Sequence, residues 1–291
     1  MTDDELQHAR RERWRLDGRP IRTLDDARDF INQAGMSLIY PVRPAVVAPT
    51  FVGAYAGTDE GLPDARHAFA DPQARAATEL MVRLLREKTV FEANVYGDAG
   101  FIVSAEVFPY LYGLVGDKNP RQSPVPGAKS DYTPLARDVF EAIRAEGAVS
   151  KTRLQEVLGG SLSTAALDRA LNELWSRLRI TRVDYTPEEG AKWDALFRWA
   201  PNRIQRGLHV SQPEALSALI SKYLEAVVAA EPTEVEDFFG HMVPKSRVRE
   251  ALNALLAARE LALVPVGRKS MVQIAPRREA RMERPERKIR T

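Results

Sequence analysis

Residues 139–183 and 220–264 carry the same apolar and glycine marks at a constant offset of 81 positions. Val139 matches Ile220, Ile143 matches Leu224, Leu154 matches Val235, and Leu158-Gly159 matches Phe239-Gly240. Further on, Leu167 matches Val248, Ala170-Leu171-Asn172 recurs as Ala251-Leu252-Asn253, Leu174 matches Leu255, and Ile180 matches Leu261. A unit repeated whole must fold as a small module of its own, so the later half of the chain is one module present twice.

Within each copy the apolar period changes in a fixed order, from helical spacing in three stretches to the alternation of a half-buried strand. In the first copy Leu135, Val139, Ala142 and Ile143 form one helical face, and Leu154, Val157 and Leu158 a shorter one. Ser163 is placed to cap a third helix whose stripe is Leu167, Ala170, Leu171, Leu174 and Leu178. Ile180 and Val183 begin a strand, Pro187-Glu188-Glu189-Gly190 turns, and Leu196, Phe197 and Trp199 return. The second copy repeats the helices and ends in a tighter hairpin, from Leu261 to Val266, over Gly267-Arg268-Lys269-Ser270, and back from Met271 to Ile274. Three helices and a hairpin are the order of a winged helix-turn-helix, in which the third helix enters the major groove and the hairpin touches backbone. Amphipathic helices alone would say little; it is the repetition of the whole order, hairpin included, that selects this fold. The expected class is α+β, mostly helical, with tandem winged helix-turn-helix domains behind an N-terminal α/β lobe.

Composition narrows the remaining functions. The chain has no cysteine and only His8, His67, His209 and His241, so no metal or cofactor site is expected. No apolar run approaches the roughly 20 residues that span a bilayer. The segment Met1 to Glu5 is acidic, unlike a signal peptide, and a cytoplasmic protein without a membrane partner is expected.

The formal net charge of +2 is unevenly placed. The last fifteen residues hold seven arginines and lysines against three glutamates, so 277–291 carries +4 and the rest of the chain −2. Such a tail can add sequence-independent attraction to phosphate. The two copies also differ where they would meet DNA. On the second copy's third helix Lys245, Ser246, Arg249 and Asn253 lie off the apolar stripe with Arg247 nearby, and the hairpin tip adds Arg268 and Lys269. The first copy's outward positions, Thr164, Ala165, Asp168, Arg169, Asn172 and Glu173, are nearly neutral, and its hairpin carries Glu188 and Glu189. Phosphate repels such a hairpin, so the second copy is the stronger candidate reader, Arg169 is the cation offered by the first, and the acidic hairpin suits a protein partner.

The N-terminal part has a different texture. Residues 1–22 form a charged arm that Trp14 could anchor. Leu24, Ala27, Phe30 and Ile31 make a helix capped by Thr23 and ended by Gly35, and Leu38 to Pro41 is extended because the residue before a proline is pushed from helix. Ala74, Ala77, Leu80, Met81, Leu84 and Leu85 mark a strong helix, and a second follows Ser104. The aromatics dense between Phe91 and Tyr112 read as core. The expected divisions are an arm 1–22, a lobe 23–116, a linker 117–134 rich in Pro, Gly and Ser, winged helices 135–201 and 202–276, and a basic tail 277–291.

The helix ending in Gly35, the Pro-rich segment, the helix from Ala74 and the tandem winged helices resemble the YcaQ/AlkZ-type winged-helix family of bacterial DNA glycosylases, which act on alkylated bases and crosslinks. The resemblance covers most of the chain and is architectural. In its catalytic members a Gly-x-Gln-x-Gln/Asp motif follows the helix end and positions water at the N-glycosidic bond. Counted from Gly35, those places hold Ser37 and Ile39, with Pro41 two further on. Ile39 cannot orient a water, and serine without a partner is a poor base. The resemblance therefore implies a binder of double-stranded DNA without this catalytic pair.

No other constellation compensates. The pairs Asp3/Asp4, Asp25/Asp26 and Glu188/Glu189 suit helix starts and turns, and Gly97-Asp98-Ala99-Gly100 lacks the Gly-Lys-Ser/Thr of a phosphate loop. Two other readings remain open: a glycosylase with relocated chemistry at an acid such as Asp59 or Glu106, and an interaction scaffold using the first winged helix.

Overall fold

The computed structural model describes residues 1–276 except 43, 97–99, 128–131 and 187. The expected basic tail and the 97–99 turn lie outside the described residues.

The tandem modules take the expected order. In the earlier one α6 (Pro134–Glu146), β4 (Val149–Ser150), α7 (Lys151–Val157) and α8 (Thr164–Ser176) precede the hairpin β5 (Ile180–Thr186) and β6 (Gly190–Ala195). The sheet order is β4-β6-β5, all antiparallel. Ser163 caps α8 by accepting from the Ala166 N–H, as its place before the apolar stripe requires. Val157, by contrast, is 41% exposed, because α7 is too short to bury a second turn of its stripe. The returning strand also lies earlier than expected: Leu196–Trp199 is a helical turn, α9, so the alternating stretch stops at Ala195.

In the later module α11 (Gln212–Val227), α12 (Pro232–Phe239) and α13 (Lys245–Ala257) precede β7 (Leu261–Val266) and β8 (Lys269–Ile274). Gly267-Arg268 forms its tight turn, with Gly267 at φ +55°, where a side chain is disfavoured. Ala230 bridges Val272 on β8, supplying in miniature the strand that β4 provides in the earlier module.

The N-terminal lobe repeats the same plan. Helix α2 (Leu24–Ala34), strand β1 (Met36–Leu38), α3 (Phe51–Ala56) and α4 (Pro72–Arg86) precede β2 (Val90–Ala93) and β3 (Phe101–Ser104). Its sheet order, β1-β3-β2, matches β4-β6-β5. The repeat is hidden in the sequence because the first and third helices start 48 residues apart here, against 30 and 33 in the later modules. The extra length lies around α3, in the proline-bearing segment before it and the stretch before α4.

Two further helices join the modules. α5 (Phe108–Val115) packs on α10 (Pro201–Leu208) at Gly207, where a Cβ would sit 2.8 Å from the Pro109 carbonyl oxygen. One apolar core runs from the N-terminal sheet, through Phe91, Phe108 and Tyr112, into Tyr223, Phe238 and Phe239 of the last module. The middle module has its own core around Phe140, Leu171 and Trp193.

The charged arm folds as α1 (Asp3–Arg13) and docks on the end of α11. Arg10, 5% exposed, donates from Nε to Val227 O at 3.0 Å and from Nη2 to Ala229 O at 2.7 Å. Trp14 Nε1 donates to Ala226 O at 2.9 Å, so side chains satisfy carbonyls that a helix end leaves unpaired. Leu6 packs with Val266 and Met271 of the last hairpin. No described helix is long and apolar enough to cross a membrane.

Candidate nucleic-acid interface

The third helices of the middle and last modules border one groove. The end of α8 contributes Glu173, Ser176 and Arg177, and the start of α13 contributes Pro244 and Arg247. Asn94 and Val95, just beyond β2, also line this open groove, whose volume is about 570 Å³. The positive end of the α13 dipole thus borders this groove. His241 lines it too and packs against Tyr96 with ring centroids 4.7 Å apart and the rings tilted by 46°. Tyr96 is held from below by its hydroxyl, which donates to Phe238 O. Burial pushes the Tyr96 phenol well above the ordinary tyrosine range, so it acts as a donor and not as an acid.

The sequence-derived cations of the last module are exposed, and most are already paired. Lys245 pairs with Asp237 and Arg247 with Glu250 at 3.1 Å, both on the surface. Exposed pairs of this kind are worth about 0–1 kcal/mol, so a phosphate can replace the carboxylate at little cost. Arg249 is different. It grips Glu236 with two bonds, at 3.0 and 2.6 Å, and Glu236 is 8% exposed. This fork joins α13 to α12, and the hydrogen bonds to Glu236 push the Arg249 pKa up. Ser246 and Asn253 are exposed, with no side-chain hydrogen bond among the described residues.

The last hairpin is more hemmed in than its sequence suggests. Lys269 pairs with Glu231, and this bond followed by the charge of the same group raises its pKa. A Cβ on Gly267 would run into the Asp3 carboxylate of α1. Arg268 is exposed and without an ion-pair partner among the described residues. Arg169 on α8 is likewise exposed and unpaired among them. The acidic tip of the middle hairpin, Glu188 and Glu189, is exposed, with Glu189 engaged by Lys192.

The two motif positions are closed. Ser37 on β1 is 1% exposed, with Oγ 2.8 Å from Leu38 O and 3.0 Å from Pro49 O, so its one proton is committed. Ile39 is 3% exposed and lies under Gly100, whose Cβ, if present, would sit 2.7 Å from the isoleucine. Asp59 pairs with Arg11, and Glu106 with Arg203 and Arg206; neither lines the groove.

Glu92, Asn94, Arg182 and His241 were not singled out by sequence reading. Glu92 carried one legible signal, a carboxylate inside the four-residue apolar strand Val90–Ala93, all of it buried. Arg182 had none, because an outward arginine on a hairpin strand is ordinary until a second module covers it.

A family model described as DNA glycosylase AlkZ-like matches residues 58–290. Among solved structures the chain is similar to the Streptomyces sahachiroi DNA glycosylase AlkZ, with a TM-score of 0.59 and 15% identity, covering 94% of this chain and 70% of that one. No curated protein matches. At this identity the likeness in structure concerns the fold.

Proposed function

The chain belongs to the AlkZ-like DNA glycosylase family, and from that premise we propose that it binds double-stranded DNA along the groove between α8 and α13, without base excision at positions 37 and 39. The observation that carries this reading is the convergence of Arg177 and Arg247, from two third helices, on one groove. In the proposed complex Lys245 and Arg247 take phosphates by exchanging their exposed carboxylate partners for a phosphate oxygen, and Arg249 keeps its fork on Glu236 while offering phosphate its remaining Nη1. Ser246 and Asn253 face base edges. Arg268 extends the contact along the hairpin, Lys269 joins it by leaving Glu231, and Arg169 adds a contact from α8.

The absence of excision rests on chemistry. A water attacking the N-glycosidic carbon needs a group to accept its proton. The Ser37 hydroxyl is buried against two carbonyl oxygens, and Ile39 has no acceptor.

Fluorescence anisotropy with plain and alkylated duplexes at two salt concentrations tests the binding. We expect affinity to fall steeply with salt for both duplexes, and no free base to be released from the alkylated one. Salt-independent binding, or none at low salt, would remove the reading; base release would remove its second half.

A further inference from the structure

The seat of α1 on the last module is shallow. Of its eleven residues only Leu6 and Arg10 are buried. Leu6 closes a small apolar cluster with Ala229, Val266 and Met271. Burial pulls the Arg10 pKa down, so this anchor keeps its charge against a desolvation cost. Beside it Arg13 donates to Glu225 O and Trp14 to Ala226 O, so side chains of the arm reach four backbone carbonyls between 225 and 229.

The chain leaving α11 is strained where α1 holds it. Val228 has φ +71° and ψ −59°, and Ala229 N–H donates to Val227 O at 2.9 Å, a γ-turn of the rare hand. A β-branched residue at positive φ persists only while its surroundings impose that conformation. Arg10 imposes it by gripping the carbonyls on both sides, Val227 O and Ala229 O. Next in the chain, Ala230 exchanges two backbone hydrogen bonds with Val272, so the same turn sets the short strand that braces the wing. Lifting α1 relieves the strain at Val228, which offsets part of the lost contact.

The first turn of α1 is acidic, with Asp3, Asp4 and Glu5, and it lies at the wing tip. The Asp3 carboxylate occupies the space that a side chain on Gly267 would need, and its charge adds to those of Glu231 and Glu234 at Lys269. An anion beside a glycine turn, with Arg268 and Lys269 next in sequence, stands where a backbone phosphate would stand. We propose that α1 is a releasable cover on the last wing: its acidic turn holds the phosphate position at Gly267-Arg268-Lys269, and a duplex that enters there displaces it. The proposal rests on the duplex-binding reading above.

The test uses the full chain, which has no cysteine of its own. Leu6→Cys puts a single thiol at a position 1% exposed, which a neutral maleimide reaches only when α1 lifts. Saturating duplex is expected to speed its labelling about tenfold, while the exposed His8→Cys thiol labels at one rate with or without duplex. Asp3→Asn, an exposed change, should tighten duplex binding about threefold, the scale of one surface charge pair. That gain should vanish when Arg268→Ala and Lys269→Ala are also present. Thermal melting checks each variant, and if Leu6→Cys lowers the melting temperature the Asp3→Asn comparison decides. Labelling that bound duplex leaves unchanged or slows, or an Asp3→Asn gain that survives loss of both wing cations, overturns the cover while duplex binding stands. Failure to bind duplex at low salt overturns both readings.

Discussion

The hairpins of the middle and last modules share a topology and are held down from opposite ends. β5–β6 is fixed along its strands: Arg182 reaches Glu92, Arg86 Nε donates to Asp184 at 2.7 Å, and Thr181 donates to Glu92 O at 3.0 Å. Its acidic tip is left outside. β7–β8 is fixed at its tip, where α1 brings Asp3 against the turn and Leu6 onto Val266 and Met271. Its strands leave Leu263 58% exposed. A wing is a small edge that any neighbour can cover. The charge at its tip therefore does not by itself assign the wing to DNA; what covers it decides.

The largest expected effect tests whether the middle module is welded in place. Arg179, 4% exposed, bonds Asp117 at 2.8 Å and stacks on Tyr132 and Phe140. Arg179→Ala leaves a partly buried carboxylate without its cation and should cost about 3 kcal/mol in urea unfolding. The last module offers the counterpart. Arg10→Ala leaves Ala229 O without its donor and Val227 O with only the Ala229 N–H, and should cost about 2 kcal/mol. If the two losses were reversed, α1 and not the seam would be the stronger weld.

A pH series sharpens the same contrast. Desolvation would raise the Asp117 pKa, but hydrogen bonds from Asn119 N–H, Tyr132 and Arg179 outweigh it and hold the group below the ordinary carboxylate range. A depressed folded value means that this contribution is fully present above the unfolded value near about 4 and is lost as pH falls through the folded one. Glu92 has the opposite sign, since its ionisation opposes folding as pH rises through its raised value. Asp117→Asn should therefore flatten the loss of stability on the acid side. Glu92→Gln should leave that limb in place.

Salt slopes then rank the two modules as readers. Changing Lys245, Arg247 and Arg249 together to glutamine should reduce the slope of log affinity against log salt by about three. Arg268→Ala with Lys269→Ala should reduce it by about two if both reach phosphate, and by about one if Lys269 stays on Glu231. Arg169→Gln should give the smallest change, about one or less. An effect of Arg169 equal to that of the α13 triple would make the middle module the main reader.

Periodicity, caps and turns exposed the later modules in the sequence because their contacts are local. Ser163 before α8, Thr23 before α2 and Gly267 in the last turn act within a few residues of themselves. The N-terminal module was not legible, since its inserted chain length broke the register although the sheet order survived. The exposed cations of α13 could also be read, since outward positions follow from the helical period. Their partners could not: Arg249 meets Glu236 only after α12 and α13 cross, and Lys269 meets Glu231 across the module.

The sequence thus determined the order of three helices and a hairpin in the tandem modules and which side chains of their helices leave the core, because hydrophobic period and capping are written within a dozen residues. Only the tertiary structure decided which wing is covered, which cations are matched, and that Glu92 and Arg182, 90 positions apart, pair with each other. Those outcomes depend on desolvation and charge pairing between modules, which no local pattern records.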